Sequence, residues 1–285
     1  MSFYGSRGQL VESITIFAGF NRTWDWTGFR LDRPREGGEN AFSIIALRGG
    51  WNLNVAGGRN FFHLDPVQYS AYRIPTGVFF PVSVPFTPQQ EFTNQFGASL
   101  DVRTPTFRHL TASAGFTYGS TPLFAEASEG KLFQLQGSVD FRPTSKIRVG
   151  LSYVRALLTR DRDGSRFSTE HIPRLKVEYQ AGRSIFFRFV GQYAARERDA
   201  LYDAQGRQLY FDDGSGSGTL VPFDPVTAND LRVDWLFSYR PYPGTLVYFG
   251  YGASLTEPDR FRFSRDELRR TSDGFFAKVS YVFRL

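Results

Sequence analysis

The feature that most constrains the fold of this 285-residue chain is an alternation of apolar and polar residues that persists through long segments. In residues 174–180, "RLKVEYQ", the apolar Leu175, Val177 and Tyr179 are separated by charged or amide side chains. Successive side chains of a β-strand point to opposite faces, so each such segment has one apolar face and one polar face. The same alternation runs through residues 133–141, 185–196, 231–240, 247–255 and 275–285.

The lengths of these segments and of their connections indicate a membrane barrel. Segments of about 10–13 residues are roughly twice as long as a soluble strand and match a tilted membrane crossing. Outer-membrane barrels alternate short periplasmic turns with long external loops, whereas a β-sandwich does not segregate its loops in this way. The tight connections are predicted at 103–109, 142–146, 181–184 and 240–245, and the long ones at 61–90, 119–130, 159–171, 197–227 and 257–273. The predicted fold class is all-β, an antiparallel transmembrane β-barrel with about 11–12 strands.

The composition favours the same class. Aromatic residues make up 17% of the chain, which suits a lipid-facing surface with aromatic belts at the two membrane interfaces. Four tyrosines near strand ends are candidates for such belts: Tyr153, Tyr179, Tyr193 and Tyr239. The chain has no cysteine, which excludes disulfides, a thiolate nucleophile and a Cys-ligated metal. A soluble β-sandwich binding module with the aromatics in its core is the alternative at this point.

The strand count predicts that the chain is part of a larger barrel. Nine strands are expected at 89–103, 107–119, 130–142, 146–158, 172–182, 184–196, 229–240, 245–256 and 274–285, preceded by two at 10–26 and 42–61. Single-chain bacterial barrels have even strand numbers, and dividing 42–61 at Gly49–Gly50 leaves one strand of only about eight residues. The first residues also lack the pattern of a signal peptide. We therefore expect one barrel domain over 1–285, as the C-terminal portion of a longer protein.

The charged residues suggest how the polar face is used. The formal net charge is +6, but the arginines alternate with apolar residues instead of clustering, which argues against nucleic acid as a partner. Eight charged residues are predicted to face the lumen: Asp140, Arg148, Lys176, Glu178, Arg188, Arg232, Asp234 and Arg240. Because an unpaired charge inside a barrel is costly, we expect cross-strand Arg–carboxylate pairs, and a modest anion preference if the pore conducts.

The last strand carries a candidate assembly signal. Apolar residues occupy every second position back from the terminus: Phe275, Ala277, Val279, Tyr281, Phe283 and Leu285. This pattern is similar to the C-terminal strand that the outer-membrane assembly machinery reads, although that strand usually ends in Phe and this chain ends in Leu285. The predicted partners are this machinery, outer-membrane lipids and lipopolysaccharide.

Three segments resemble a known family. "RLKVEYQAGRSIFFRFVGQY", "NDLRVDWLFSYRPYPGTLVYFGYG" and "GFFAKVSYVFRL" resemble the C-terminal outer-membrane β-barrel domain, of unknown function, of a bacterial family with an N-terminal family-9-type carbohydrate-binding-like module. The matching elements are the strand ending in Gln192–Tyr193, the strand running into Arg240–Pro241 with Gly244 after it, and the ending at 278–281; "GGWNLNVAGGRNFF" at 49–62 is a weaker match. The sugar-binding module is not in this chain, so the resemblance implies a barrel and no glycan-binding residue.

No catalytic, cofactor or metal residue is predicted. His171 with Glu170 and Ser168, or with Asp161 and Asp163, is the one group that offers a barrel hydrolase a loop active site. His109 is expected beside a tight turn, a strand length away from His63 and His171. Residues 210–219, "YFDDGSGSGT", offer oxygen ligands but lack the ligand spacing of a calcium loop. Residues 264–270, "SRDELRR", are predicted to lie in a charged loop near lipid phosphates.

The functional prediction follows from the fold class and not from a motif. We expect a bacterial outer-membrane β-barrel protein that serves as a pore, a scaffold or an anchor, with an unidentified cargo. An outer-membrane hydrolase and a soluble binding module are the alternatives.

Overall fold

The computed structural model describes residues 1–24, 34–76, 82–214, 219–263 and 267–282, and these residues form two antiparallel sheets. A short 3-10 helix, Pro66–Tyr69, lies between β4 and β5. In chain order the strands are β1 (Ser2–Tyr4), β2 (Val11–Thr23), β3 (Glu36–Leu47), β4 (Trp51–His63), β5 (Tyr72–Pro75), β6 (Ser83–Pro85), β7 (Glu91–Arg103), β8 (Leu110–Leu123), β9 (Ser128–Phe141), β10 (Ile147–Arg160), β11 (Arg166–Gln180), β12 (Ile185–Arg198), β13 (Tyr210–Asp212), β14 (Leu220–Pro222), β15 (Val226–Tyr239), β16 (Thr245–Thr256) and β17 (Arg269–Tyr281).

The larger sheet is a meander of long strands, and it confirms the predicted all-β, antiparallel architecture. In the described residues it contains thirteen strands in the order β1-β2-β3-β4-β7-β8-β9-β10-β11-β12-β15-β16-β17. All except β1 have 12 to 15 residues, the length of a tilted membrane crossing. The two chain excursions that leave this order form the smaller sheet, β14-β13-β5-β6.

The prediction of one strand over 42–61 is wrong. The chain turns at residues 48–50, and Leu47 of β3 pairs directly with Trp51 of β4. Gly49 and Gly50 both have φ of +85°, a backbone conformation that suits glycine and few other residues. A three-residue connection keeps Leu47 and Trp51 on the same face. The apolar alternation therefore continues across the turn, and the pattern alone does not reveal the hairpin. β3 begins at Glu36, so neither strand is short.

Two of the five predicted long connections are also wrong. The segments 119–130 and 159–171 are mostly strand, and only residues 124–127 and 161–165 connect β8 to β9 and β10 to β11. These strands therefore extend past the point at which their apolar alternation stops, because ladder hydrogen bonds do not need apolar side chains. The connections at 64–90, 199–225 and 257–268 are long, as predicted.

The register assigns side chains to two faces of the larger sheet. Directly paired residues point to the same side, and the pairs Gly115–Gln136, Gln136–Val154 and Asp140–Gly150 define a polar face across β8, β9 and β10. The opposite, apolar face carries Phe116, Leu135, Leu151, Phe187 and Trp235, which are 37–52% exposed. Side chains of this size are normally buried when a sheet is surrounded by water.

The apolar face is a band with a sharp limit. On β9 it runs from Phe141 to Phe133, and the next residue on that face is Lys131. The residues at the corresponding limit on other strands are all polar: Arg22, Glu39, Arg59, Arg155, His171, Glu197, Asn229 and Asp273. Beyond this limit lie the ends of the strands that lead into the long connections.

The two edges of the sheet are separate in the described residues. There, β17 pairs with β16 alone and β1 pairs with β2 alone, so the larger sheet is open. That the chain is the C-terminal portion of a larger barrel stays a prediction. In the same residues, no helix has the length and apolar character needed to cross a membrane.

Candidate functional site

The polar face of the larger sheet is the candidate functional surface. Small and hydrogen-bonding side chains dominate it, among them Ser99, Ser113, Thr117, Gln134, Gln136, Ser138, Ser152, Gln192 and Ser254. Ser113 and Ser138 are hydrogen-bonded at 2.7 Å, and the Gln136 amide donates to the Asp101 carboxylate at 3.0 Å. Gly115 lies beneath this second bond, where a Cβ atom would collide with both side chains. The absence of a side chain at Gly115 therefore leaves room for the hydrogen bond between Gln136 and Asp101 against the sheet.

Four of the eight charged candidates form one cluster on this face. Arg148 of β10 donates to Asp140 of β9 at 2.6 Å, and its guanidinium lies 3.8 Å from Glu178 of β11. Lys176 contacts Glu178 at 3.0 Å within β11. Arg142, at the adjacent tight turn, also contacts Asp140, at 2.8 Å. The cluster bridges three strands, as cross-strand pairs of opposite charge do.

The other four candidates are more separate. Arg232 and Asp234 pair at 3.3 Å along β15. Arg188 is directly opposite Glu178 in the ladder, yet it is exposed and has no ion pair with any described residue. Arg240 lies past the end of β15, where it bonds to the Arg183 carbonyl at 3.4 Å. Arg174 also lacks an ion pair in the described part of the chain, so two arginines of this face are not directly paired with a carboxylate.

A second layer, which we call the loop cap, lies at the end of the polar face that leads into the long connections. It consists of β5, β6, β13, β14 and their flanking residues. Its apolar core joins Ile74, Leu201 and Leu209 of the excursions to Leu123 and Phe167 of the larger sheet, with Leu158 packed against them. Leu123 shares its face with Ser113, and Leu158 shares its face with Ser152. The loop cap therefore covers the polar face and not the apolar one.

A buried ion pair fastens the loop cap to the sheet. Arg160 and Glu126 have side chains that are 2% and 1% exposed, and Arg160 donates to both Glu126 oxygens at 2.7–3.0 Å. Arg160 also reaches the Ala200 carbonyl at 2.8 Å, and Glu126 accepts the Tyr202 backbone N–H at 2.9 Å. Both contacts join the larger sheet to the excursion that contains β13. The charged groups of Arg160 and Glu126 thus have hydrogen-bond partners within the protein, which a buried ion pair requires.

The connection at 161–165 braces the loop cap. Arg162 donates to the carbonyl of Asp203, a residue whose own carboxylate accepts the backbone N–H groups of Gln205 and Arg207. Hydrogen bonds from Ser165 and then from Arg162 hold the pKa of the Asp163 carboxyl well below its usual range. This carboxylate therefore stays charged at all ordinary pH values.

The structure does not assemble the hydrolase group that the sequence offered. His171 points to the apolar-face side, where its Nδ1 bonds to the Tyr153 hydroxyl at 2.7 Å. Glu170 and Ser168 lie on the opposite side of β11, and Glu170 pairs with Arg196 at 2.5 Å. The two aspartates are also engaged elsewhere, Asp161 with Lys131 at 2.7 Å and Asp163 with Arg162 at 2.9 Å.

The remaining histidines and loop segments have structural contacts. The His109 Nδ1–H donates to the Arg142 carbonyl at 2.8 Å beside a tight turn, and His63 lies 3.9 Å from Glu91. In the segment 210–219, Asp212 pairs with Arg73 at 3.1 Å, and residues 215–218 lie outside the described part. In the segment 264–270, residues 264–266 are outside it as well, while Glu267 pairs with Arg262 at 3.2 Å.

The candidate assembly signal lies on the apolar face where it is described. Phe275, Ala277 and Val279 pair with Tyr251, Phe249 and Val247 of β16. Tyr281 pairs with Thr245. Phe283 and Leu285 lie outside the described residues. The pattern thus forms an exposed edge strand, and its recognition by assembly machinery stays a prediction.

Comparisons with known proteins give similarity to solved structures alone. The chain is similar to the outer-membrane protein OmpT of Vibrio cholerae, with 11% identity over 98% of this chain and 93% of that chain and a TM-score of 0.39. It is also similar to the NanC porin, with 12% identity over 95% of this chain and 99% of that chain and a TM-score of 0.31. No family model and no curated protein matches the chain. The association with a carbohydrate-binding module stays a prediction.

Proposed function

We propose that this chain is a bacterial outer-membrane β-barrel protein whose polar face lines a water-filled pore that favours small anionic solutes. The observation that carries the proposal is the exposed apolar band opposite a face whose side chains from β7 to β15 are mostly polar or small. In water such a band would be an apolar patch far larger than soluble monomers tolerate. In a bilayer the same band faces lipid and the polar face lines the interior.

The height of the band supports a membrane-spanning orientation. From Phe133 to Phe141 there are eight residue steps, or roughly 27 Å at ~3.4 Å per residue. A strand tilt of about 40° leaves roughly 21 Å, close to the ~25 Å apolar band of outer-membrane barrels. Closure of the sheet, within this chain or with further strands, is part of the proposal, because an unpaired strand edge is not stable in lipid.

The charges on the polar face favour a water-filled interior over an interior packed with side chains. The Arg148 cluster and the isolated Arg174 and Arg188 are ionised groups, and only water or a counter-ion can solvate charges that are not directly paired with a carboxylate. Rings of charged side chains also set the ion preference of a pore. The loop cap lies over one end of this face, where it would narrow the mouth.

Ion selectivity tests the pore. In planar bilayers under a KCl gradient, the wild-type protein is expected to give a reversal potential of the sign set by anion permeation. Arg174→Gln with Arg188→Gln should lower the anion-to-cation permeability ratio by roughly twofold or more, because local counter-ion concentration follows wall charge. Lys146→Gln with Arg183→Gln removes the same charge from two tight turns and should change the ratio less. Insertion without any conductance would contradict the pore and leave a scaffold or anchor.

A further inference from the structure

A cavity on the apolar-face side of the sheet combines an apolar floor with a cationic rim. It has a volume of about 370 Å³ and is lined by Tyr118, Lys131, Phe133, Arg155, Leu157 and Thr159. Tyr118 pairs with Phe133, and Phe133 with Leu157, so three strands form its floor. Lys131 is opposite Thr159, and Arg155 is opposite Leu135, at the limit of the apolar band.

The charges around this cavity are less balanced than those at the limit of the apolar band on other strands. Arg22 and Arg59 are both satisfied by Glu39, at 2.6 and 2.9 Å. Lys131 has the Asp161 carboxylate at 2.7 Å, whereas Arg155 is exposed and forms no ion pair or hydrogen bond with any described residue. Two cations and one carboxylate leave a net positive site that an anionic group would complete.

The surface below the cavity suits an acyl chain. Phe116 and Phe133 pack edge to face at 5.5 Å between ring centroids. Phe116 and Leu135, on the same face, are 38% and 40% exposed. A ligand that fits must therefore carry negative charge at the level of Lys131 and Arg155 and hydrocarbon below it. A free inorganic anion would contact the two cations but not the apolar surface below them.

We propose that this cavity binds the phosphorylated headgroup of an acylated lipid in the external leaflet, with one acyl chain lying over Phe133 and Leu135. The inference rests on the proposed function, because it requires the apolar face to meet lipid. Cations at the edge of an apolar surface attract lipid phosphates, and long Lys and Arg side chains reach from that surface to the headgroup level. The cavity lies toward the long connections, which places it on the external side of an outer-membrane barrel.

Binding of diphosphorylated lipid A to the refolded protein in nonionic detergent tests this assignment. Native mass spectrometry or a fluorescence titration should show that Lys131→Gln with Arg155→Gln raises the dissociation constant about tenfold or more. Lys146→Gln with Arg183→Gln is the control for lost charge and should bind like the wild type. Dephosphorylated lipid A should bind the wild type and the cavity variant equally weakly.

Three outcomes would overturn the inference. One is equal binding by the wild type and the cavity variant, and another is binding that ignores removal of the phosphates. The third is displacement of lipid A by equimolar inorganic phosphate, which would indicate a site for free anions. Heat-modifiable migration of every variant separates these outcomes from failure of the proposed function, since a wild type that never inserts into micelles or bilayers would contradict the barrel itself.

Discussion

Replacing Leu135 with arginine is expected to prevent stable insertion into bilayers. Leu135 lies on the apolar stretch of β9, 40% exposed, between Phe133 and Gly137 on the same face. An arginine on the lipid-facing side costs up to ~2–4 kcal/mol at the bilayer midplane and less toward the membrane surfaces, a large share of the net stability of a folded domain. Refolding into phospholipid vesicles, followed by unheated gel migration and a urea titration, should show loss of the folded band or a much lower unfolding midpoint.

The adjacent residue provides the control. Gln136 lies on the polar face and donates to Asp101 at 3.0 Å, so Gln136→Arg puts the same side chain next to a carboxylate. This variant should refold at nearly the wild-type yield. Equal damage from both substitutions, or greater damage from Gln136→Arg, would contradict the assignment of the apolar face to lipid.

Removing the buried carboxylate of Glu126 is expected to release the loop cap. Glu126→Ala leaves the Arg160 guanidinium, 2% exposed, without its main partner, and breaking a buried ion pair in this way costs about 3–5 kcal/mol. Arg160 also lies 5.5 Å from the Phe167 ring and 5.0 Å from the Tyr202 ring, so a shift of its side chain disturbs the cap core. Trypsin cleavage after Arg207 should then be faster by about two orders of magnitude, since local opening controls proteolysis.

A double variant separates lost charge balance from lost packing. In Glu126→Leu with Arg160→Met neither charge remains buried, and replacing a buried pair by apolar residues is often neutral. Its cleavage should be closer to the wild-type rate than that of Glu126→Ala. Heat-modifiable migration should be unchanged in both, because the pair lies at the ends of the strands. Wild-type cleavage of Glu126→Ala would contradict the role assigned to the pair.

Local pattern was enough to predict the long strands. Apolar residues that alternate with polar ones over ten residues fit few structures other than a β-strand. The nine strands expected after residue 88 are all present, and their ends differ from the predicted ones by several residues at most. The polar and apolar faces followed from the same period, so Asp140 and Arg148 could be placed on one face without knowledge of the pairing. The register then shows which of these charges meet.

The errors have a common physical cause. The turn at Arg48–Gly50 was hidden because three residues preserve parity, and only the two glycines signalled it. The extensions of β8 to β11 were hidden because their side chains alternate no longer, although the ladder continues. In both places the backbone pairing, which side-chain polarity does not report, determines the structure.

The loop cap could not be predicted, because its contacts join distant parts of the chain. Ile74, Leu123 and Leu209 meet across more than a hundred residues of sequence, and no periodic pattern surrounds them. Glu126 and Arg160 lie in segments that read as ordinary polar loops. The lipid-headgroup cavity was missed for a similar reason: Lys131 and Arg155 come together only through the pairing of β9 with β10.

The orientation of the two faces can be measured directly, since the chain has no cysteine of its own. Single cysteines at residues 133–139 of β9, labelled with a nitroxide in protein refolded into liposomes, report contact with oxygen, which partitions into lipid, and with a water-soluble nickel complex. Labels at Phe133, Leu135 and Val139 should respond to oxygen, and labels at Gln134, Gln136 and Ser138 to the nickel complex, with a period of two. Access of the nickel complex to both sets, or the opposite phase, would contradict a membrane-spanning sheet with a polar interior.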